Sequence, residues 1–166
     1  MSIFYPNERY RRITDISPQQ LKTSGFEGII LDVDNTLTTH DNPKPGEGVM
    51  DWLAAASNAG LKLIILSNNT PERVKPFAEM LGLEFEANGR KPLTSGYLRA
   101  VKSMGITKDK AIAIGDQIFT DILGARLSGI YSILTDPIEP EHTAFFRFKR
   151  KAEKPILAMF ERRNRK

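Results

Sequence analysis

The sequence predicts a three-layer α/β fold built on a doubly wound parallel sheet. Three observations point there. Short β-branched apolar runs alternate with amphipathic helical patterns of about ten residues, the signature of βαβ units. The runs are continuous rather than alternating, as expected for strands buried on both faces. The first strong run, Ile29-Ile30-Leu31, ends in two carboxylates, Asp32 and Asp34. Open α/β sheets bind their ligands at such strand ends.

The elements follow in order. Residues 1–16 hold Phe4, Tyr5, Tyr10 and Arg11-Arg12, and read as an arm packed on the body without an assignable element. Ser17-Pro18 supplies an N-cap and a first-turn proline for a short helix that Gly25 ends. The acid-tipped strand comes next. His40 to Gly48 is a loop with two prolines. Val49, Trp52, Leu53 and Ala56 then follow helical spacing up to Gly60. A buried-type strand over 61–66 ends in Ser67-Asn68-Asn69. Thr70-Pro71 opens a helix with Val74, Phe77, Ala78 and Leu81 on one face, closed by Gly82.

Residues 83–87 form a short strand and Asn88-Gly89-Arg90-Lys91-Pro92 a turn. A helix follows with Leu93, Tyr97, Ala100, Val101 and Met104 inward. The strand over 111–114 leads into Gly115-Asp116-Gln117. A helix is expected over 120–127 and a last strand over 130–134. Asp136-Pro137-Ile138-Glu139-Pro140 breaks regular structure, and Lys154-Pro155 reads as the start of a C-terminal helix.

One domain over 1–166 is expected: an N-terminal arm and helix (1–24), a core (25–135) and a basic C-terminal segment (136–166). No apolar run approaches a membrane span, and the first residues lack the pattern of a signal peptide. There is no cysteine, which excludes disulfides, thiol catalysis and Cys-ligated zinc and fits a cytoplasmic protein. The net charge of +4 is uneven. Residues 147–166 carry nine Lys or Arg against two Glu, leaving 15 basic and 18 acidic residues elsewhere. Such a tail reads either as a solvated terminus or as a surface for anionic lipid or nucleic acid.

Chemistry concentrates after strands and turns. Asp32 and Asp34 share one side of a strand end, because side chains repeat every second residue. Two like charges there call for a cation or a function. Ser67, Lys91, Asp116 and Asp121 fall at matching places, and parallel strands bring all of these to one edge. Singly, each has a plain structural explanation; jointly they form a candidate site. His40 and His142 have no spacing that suggests a metal site and are assigned no role.

Asp32-Val33-Asp34-Asn35-Thr36-Leu37 resembles the first motif of the haloacid dehalogenase (HAD) superfamily. Ser67, Lys91 in Arg90-Lys91-Pro92, and Gly115-Asp116-Gln117-Ile118-Phe119-Thr120-Asp121 resemble its other three, in order. The pattern is similar to the YqeG-like phosphatases of subfamily IIIA, a group that includes phosphatidylglycerophosphate phosphatases. The resemblance implies a Rossmann-type, HAD-like fold and Mg²⁺-dependent phosphate monoester hydrolysis. Asp32 would be the nucleophile that forms an aspartyl-phosphate, and Asp34 the general acid and base. Asp32, Asp34 (through its carbonyl) and Asp116 would ligate Mg²⁺. Thr36, Ser67, Asn68 and Lys91 would bind the phosphoryl group, with Lys91 also catalytic. Asp121 would orient Lys91 or metal-bound water from behind. Asp34 points to a phosphatase rather than a dehalogenase.

The thirty residues between Thr36 and Ser67, and the twenty-three between Ser67 and Lys91, leave no room for a cap domain. An uncapped site suits a large or membrane-presented substrate, or one covered by a second copy of the chain. Phosphatidylglycerophosphate is the favoured substrate, with the protein cytoplasmic and peripheral to the membrane. A sugar phosphate, nucleotide or phosphoprotein substrate stays open, as does a non-catalytic phosphate- or RNA-binding protein on this fold. A receiver-type phospho-switch fits poorly, since the second and third strands end in Ser67 and Ala87 rather than an acceptor Asp. There is no strong nucleic-acid signal.

Overall fold

The computed structural model describes residues 2–40, 42–141 and 143–164; His142 lies outside them. Six strands form one sheet in the order β1-β6-β5-β2-β3-β4, with every pairing parallel. They are β1 (Glu8–Tyr10), β2 (Gly28–Leu31), β3 (Lys62–Leu66), β4 (Glu84–Glu86), β5 (Ala111–Gly115) and β6 (Tyr131–Thr135). The helices are α1 (Pro18–Thr23), α2 (Val49–Asn58), α3 (Pro71–Leu81), α4 (Thr94–Met104), α5 (Leu123–Ser128) and α6 (Ala144–Asn164). The chain moves from β2 out through β3 to β4, then returns to β5 on the other side. That reversal opens a crevice between the carboxyl ends of β2 and β5, where Asp32 and Asp116 lie.

The pleat divides the core in two. Ile29, Leu31, Ile65, Ile112 and Ile114 face Trp52, Leu53, Val74 and Phe77 of α2 and α3. Ile30, Ile64, Leu66 and Ala113 face Tyr97, Ala100, Val101 and Met104 of α4. Both faces of the central strands are buried, so these strands read as unbroken apolar runs. Gly124 lets α5 approach α4: a Cβ there would fall 2.4 Å from the Tyr97 ring.

Four expectations are corrected. The arm contributes β1, an edge strand whose Glu-Arg-Tyr sequence carries no apolar signal. It is held by polar contacts instead: Asn7 Oδ1 accepts from Ser132 N (2.9 Å) and Ser132 Oγ (3.1 Å), and Tyr131 donates to Glu8 (2.6 Å). The helix expected over 120–127 begins as a π-helical turn, Ile118–Ile122, before α5. Leu93 is exposed at the N-cap of α4 rather than inward. Finally, α6 starts at Ala144 and runs through Pro155. The proline marks no start, because contacts on both sides of it hold the helix: Glu153 reaches Ile118 N (2.8 Å), and Phe160 is buried.

Candidate active site

The Asp32 N–H still donates to Ile114 O (3.0 Å), so the acid stands at the last rung of the ladder. The chain then turns sharply, with Leu37 N bonded to Val33 O (2.9 Å) and Asn35 N to Thr38 O (2.7 Å). Asn35 takes the left-handed conformation this turn needs (φ 60°), which asparagine tolerates better than most side chains. Asp32 and Asp34 thereby have different surroundings. Asp32 Oδ1 meets Lys91 Nζ at 2.5 Å, and Thr36 donates to its Oδ2 at 3.2 Å. Asp34 leans outward, where Oδ2 accepts from Asn69 Nδ2 (2.9 Å) and Oδ1 lies 3.7 Å from His40 Nδ1.

Lys91 comes from a turn in which Asn88 and Arg90 both have positive φ. The Asn68 amide clamps that turn. It accepts from Lys91 N (2.6 Å) and donates to Lys91 O (3.1 Å). The ammonium is buried and also contacts Asp121 Oδ1 at 2.7 Å. Ser67 is buried at the end of β3, and its Oγ accepts from Asn69 N (3.1 Å).

Asp121 can pack there because residue 115 is glycine: a Cβ at that position would sit 2.4 Å from Asp121 Cγ. Asp121 Oδ2 accepts from Gln117 N (3.0 Å). Asp116 is gripped by Arg150 of α6, which donates to its main-chain O (2.5 Å) and to its Oδ2. Asp116 Oδ1 is buried and has no hydrogen-bond partner among the described residues. Carboxylate oxygens of Asp32, Asp116 and Asp121 lie within 4.8 Å of one another. An all-oxygen set with one unsatisfied acceptor suits a hard divalent cation such as Mg²⁺.

The same crowding shifts the acids. Burial first, and then the Asp121 charge, push the Asp32 carboxyl up to about 7 against the opposing pull of Lys91. Burial likewise raises Asp116 well above the usual carboxylate range, with Arg150 opposing. Burial works to lower the Lys91 ammonium, but Asp121 and Asp32 outweigh it and hold it well above its ordinary value. The arrangement thus keeps a cationic lysine among crowded carboxylates, surroundings that favour further positive charge.

Of the residues singled out from sequence, Asp32, Lys91 and Asp121 meet directly, and Asp116 brings a carboxylate oxygen within 4.8 Å of the other two acids. Asp34 and Ser67 line an adjoining groove of about 400 Å³, together with Val33, Asn69, Phe77 and Met80. Thr36 faces Asp32, and Asn68 holds the backbone of Lys91. Sequence reasoning missed Asn69, His40, Arg150, Glu141 and Glu153. Asn69 adjoins a strand end and was within reach of it. Arg150 lay in a basic run that reads as solvated, and nothing local ties it to a partner thirty-four positions away.

A model of haloacid dehalogenase-like hydrolases matches residues 39–129, more than half of the chain. The chain is 38% identical over 160 residues to "Probable phosphatase YqeG" of Bacillus subtilis (strain 168), covering 96% of this chain and 93% of that one. This chain belongs to the haloacid dehalogenase-like hydrolases. It is 24% identical over 170 residues to "Phosphatidylglycerophosphate phosphatase 1, chloroplastic/mitochondrial" of Arabidopsis thaliana, of which it spans about half (48%). Among solved structures, an uncharacterized protein from Listeria monocytogenes serotype 4b superposes with a TM-score of 0.58 at 20% identity, over 71% of this chain and 85% of that one. A hydrolase from Streptococcus pneumoniae TIGR4 gives 0.56 at 18% identity, over 68% and 94%. These two speak to the fold of the hydrolase. Both the Asp32–Thr36 motif and Arg150 lie outside the matched residues 39–129.

Proposed function

We propose that this hydrolase is a Mg²⁺-dependent phosphatase that works through an aspartyl-phosphate on Asp32. One observation carries the reading: Asp32, Asp116 and Asp121 converge within 4.8 Å of one another, with Lys91 Nζ bonded to two of them. Asp32, Asp116 and the Asp34 main chain would hold the cation, with Asp121 close behind. The cation would offset the negative charge of the phosphoryl group and of the acids around it. An Asp32 oxygen attacks phosphorus as the ester P–O bond breaks. Asp34 gives its proton to the departing oxygen. Asp34 then takes a proton from water as that water attacks the phosphoryl group, releasing phosphate and restoring Asp32. Lys91 holds Asp32 in place and balances the transferring charge. Asn69 fixes the direction of Asp34.

Phosphatidylglycerophosphate is our preferred substrate. Three things support it: the likeness to the Arabidopsis protein so named, an apolar-walled groove beside Asp34, and the outward face of α6. That face carries Phe145 (69% exposed), Phe148 (72%) and Met159 beside Lys151, Arg162 and Arg163. A helix of this kind suits an anionic lipid surface, and no helix among the described residues is long and apolar enough to cross a membrane. A cytoplasmic protein peripheral to the membrane fits this picture.

The test is hydrolysis of p-nitrophenyl phosphate with Mg²⁺, lost with EDTA and abolished in Asp32→Asn. Full turnover in that variant overturns the mechanism. Phosphate release from phosphatidylglycerophosphate in mixed micelles should exceed that from a panel of soluble sugar phosphates and nucleotides. A clear preference for a soluble compound removes the lipid reading.

A further inference from the structure

We infer that Arg150, on the C-terminal helix, is a positioning residue that sets Asp116 for the divalent cation. The inference rests on the metal-dependent reading of the site above. Arg150 holds Asp116 at two points, its main-chain oxygen and its Oδ2. Two bonds to one residue from a planar guanidinium fix rotation as well as distance. With Oδ2 engaged, Oδ1 is the oxygen without a partner, and it belongs to the residue that shares the acid cluster with Asp32 and Asp121. Arg150 therefore decides which Asp116 oxygen is free to meet a cation.

A cationic side chain beside a cation site would ordinarily weaken it. Here Arg150 is matched by two carboxylates of its own. Glu141 Oε1 lies 2.8 Å from Nη2, and Glu153 Oε2 lies 3.2 Å from Nη1. The guanidinium is thus already paired on both sides by these glutamates, and the role left to the arginine is geometric. Glu153 adds a second hold on the same loop. Its Oε1 accepts from Ile118 N (2.8 Å) and Phe119 N (3.3 Å), in the turn that leads to Asp121. One helix thus buckles the segment between the two later acids, and the lost partner of a metal ligand typically weakens binding ten- to a hundredfold.

The experiment is a titration of the full-length protein with Mn²⁺ alone, followed by electron paramagnetic resonance in the absence of substrate. Arg150→Met, which also leaves three carboxylates without their cation, should lower the Tm and should weaken Mn²⁺ at least about tenfold in the folded protein, and Arg150→Lys, which has charge without the fork, should weaken it nearly as much. In an Asp116→Asn background, Arg150→Met should change affinity no further. Unchanged or tighter Mn²⁺ binding in Arg150→Met overturns the inference. Parent-like binding in Arg150→Lys also overturns it, whether or not Arg150→Met folds, because charge alone would then suffice. A parent protein that binds no Mn²⁺ removes the metal reading itself, and this inference with it.

Discussion

Asp32 is the residue on which the site's energetics turn, because it is poised between Lys91 and two further buried acids. Its folded-state carboxyl is raised from an ordinary carboxylate value to about 7. The sign follows from linkage: the folded form binds the proton more tightly than the unfolded chain. Stability from this group is complete below about pH 4 and is lost as pH rises through 7. Asp116, raised for the same leading reason, acts in the same direction. In EDTA the Tm should therefore fall between about pH 4 and 7, and Asp32→Asn should flatten that slope. An unchanged slope in the variant would mean that Asp32 titrates elsewhere. Gly115 makes a second case at this scale. With Cβ required to sit 2.4 Å from Asp121 Cγ, Gly115→Ala must displace Asp121 or the end of β5. We expect a loss of about 1–3 kcal/mol in urea unfolding and a fall in p-nitrophenyl phosphate turnover, and parent-like values of both would show that the site yields easily. The acids themselves were legible in the sequence because each follows a strand or turn at short spacing. Their partners were not: a bond from Arg150 to Asp116 joins two elements that no local pattern connects.

The elements were read well wherever burial imposes a period. α2 and α3 bury the positions that helical spacing marks, Val49, Trp52, Leu53 and Ala56 on one and Val74, Phe77, Ala78 and Leu81 on the other. Reading failed where polar contacts do the holding, as in β1, and where tertiary contacts override a local breaker, as in α6. Pro155 lies inside α6 and is exposed, so it removes a helical hydrogen bond without packing to compensate. Interior proline is costly for this reason. Pro155→Ala should raise stability by an amount on the order of 1 kcal/mol or more, seen as a higher Tm with activity retained. A lower Tm would show that α6 depends on the bend that a proline imposes.

At the scale of the whole molecule, the charge asymmetry visible in the sequence acquires a direction. Most of the basic segment is one long helix, α6, with two distinct sides. Its inner side sends Arg150 and Glu153 to the acid-bearing loop, while its outer side presents Phe145, Phe148 and Met159 with Lys151, Arg162 and Arg163. Deleting the segment would therefore confuse lipid binding with damage to the site, and only substitutions on the outer side separate them. Each basic residue near an anionic surface contributes on the order of 1 kcal/mol, and exposed aromatics add burial in the interfacial region. The protein should co-sediment with phosphatidylglycerol-containing vesicles, and less so as salt is raised. Phe145→Ser and Phe148→Ser combined with Arg162→Glu and Arg163→Glu should reduce that binding at least about tenfold. None of the four touches the acid cluster, so hydrolysis of p-nitrophenyl phosphate should persist. If the fourfold variant sediments like the parent, the outer face of α6 is an ordinary solvated surface and no longer supports a lipid substrate.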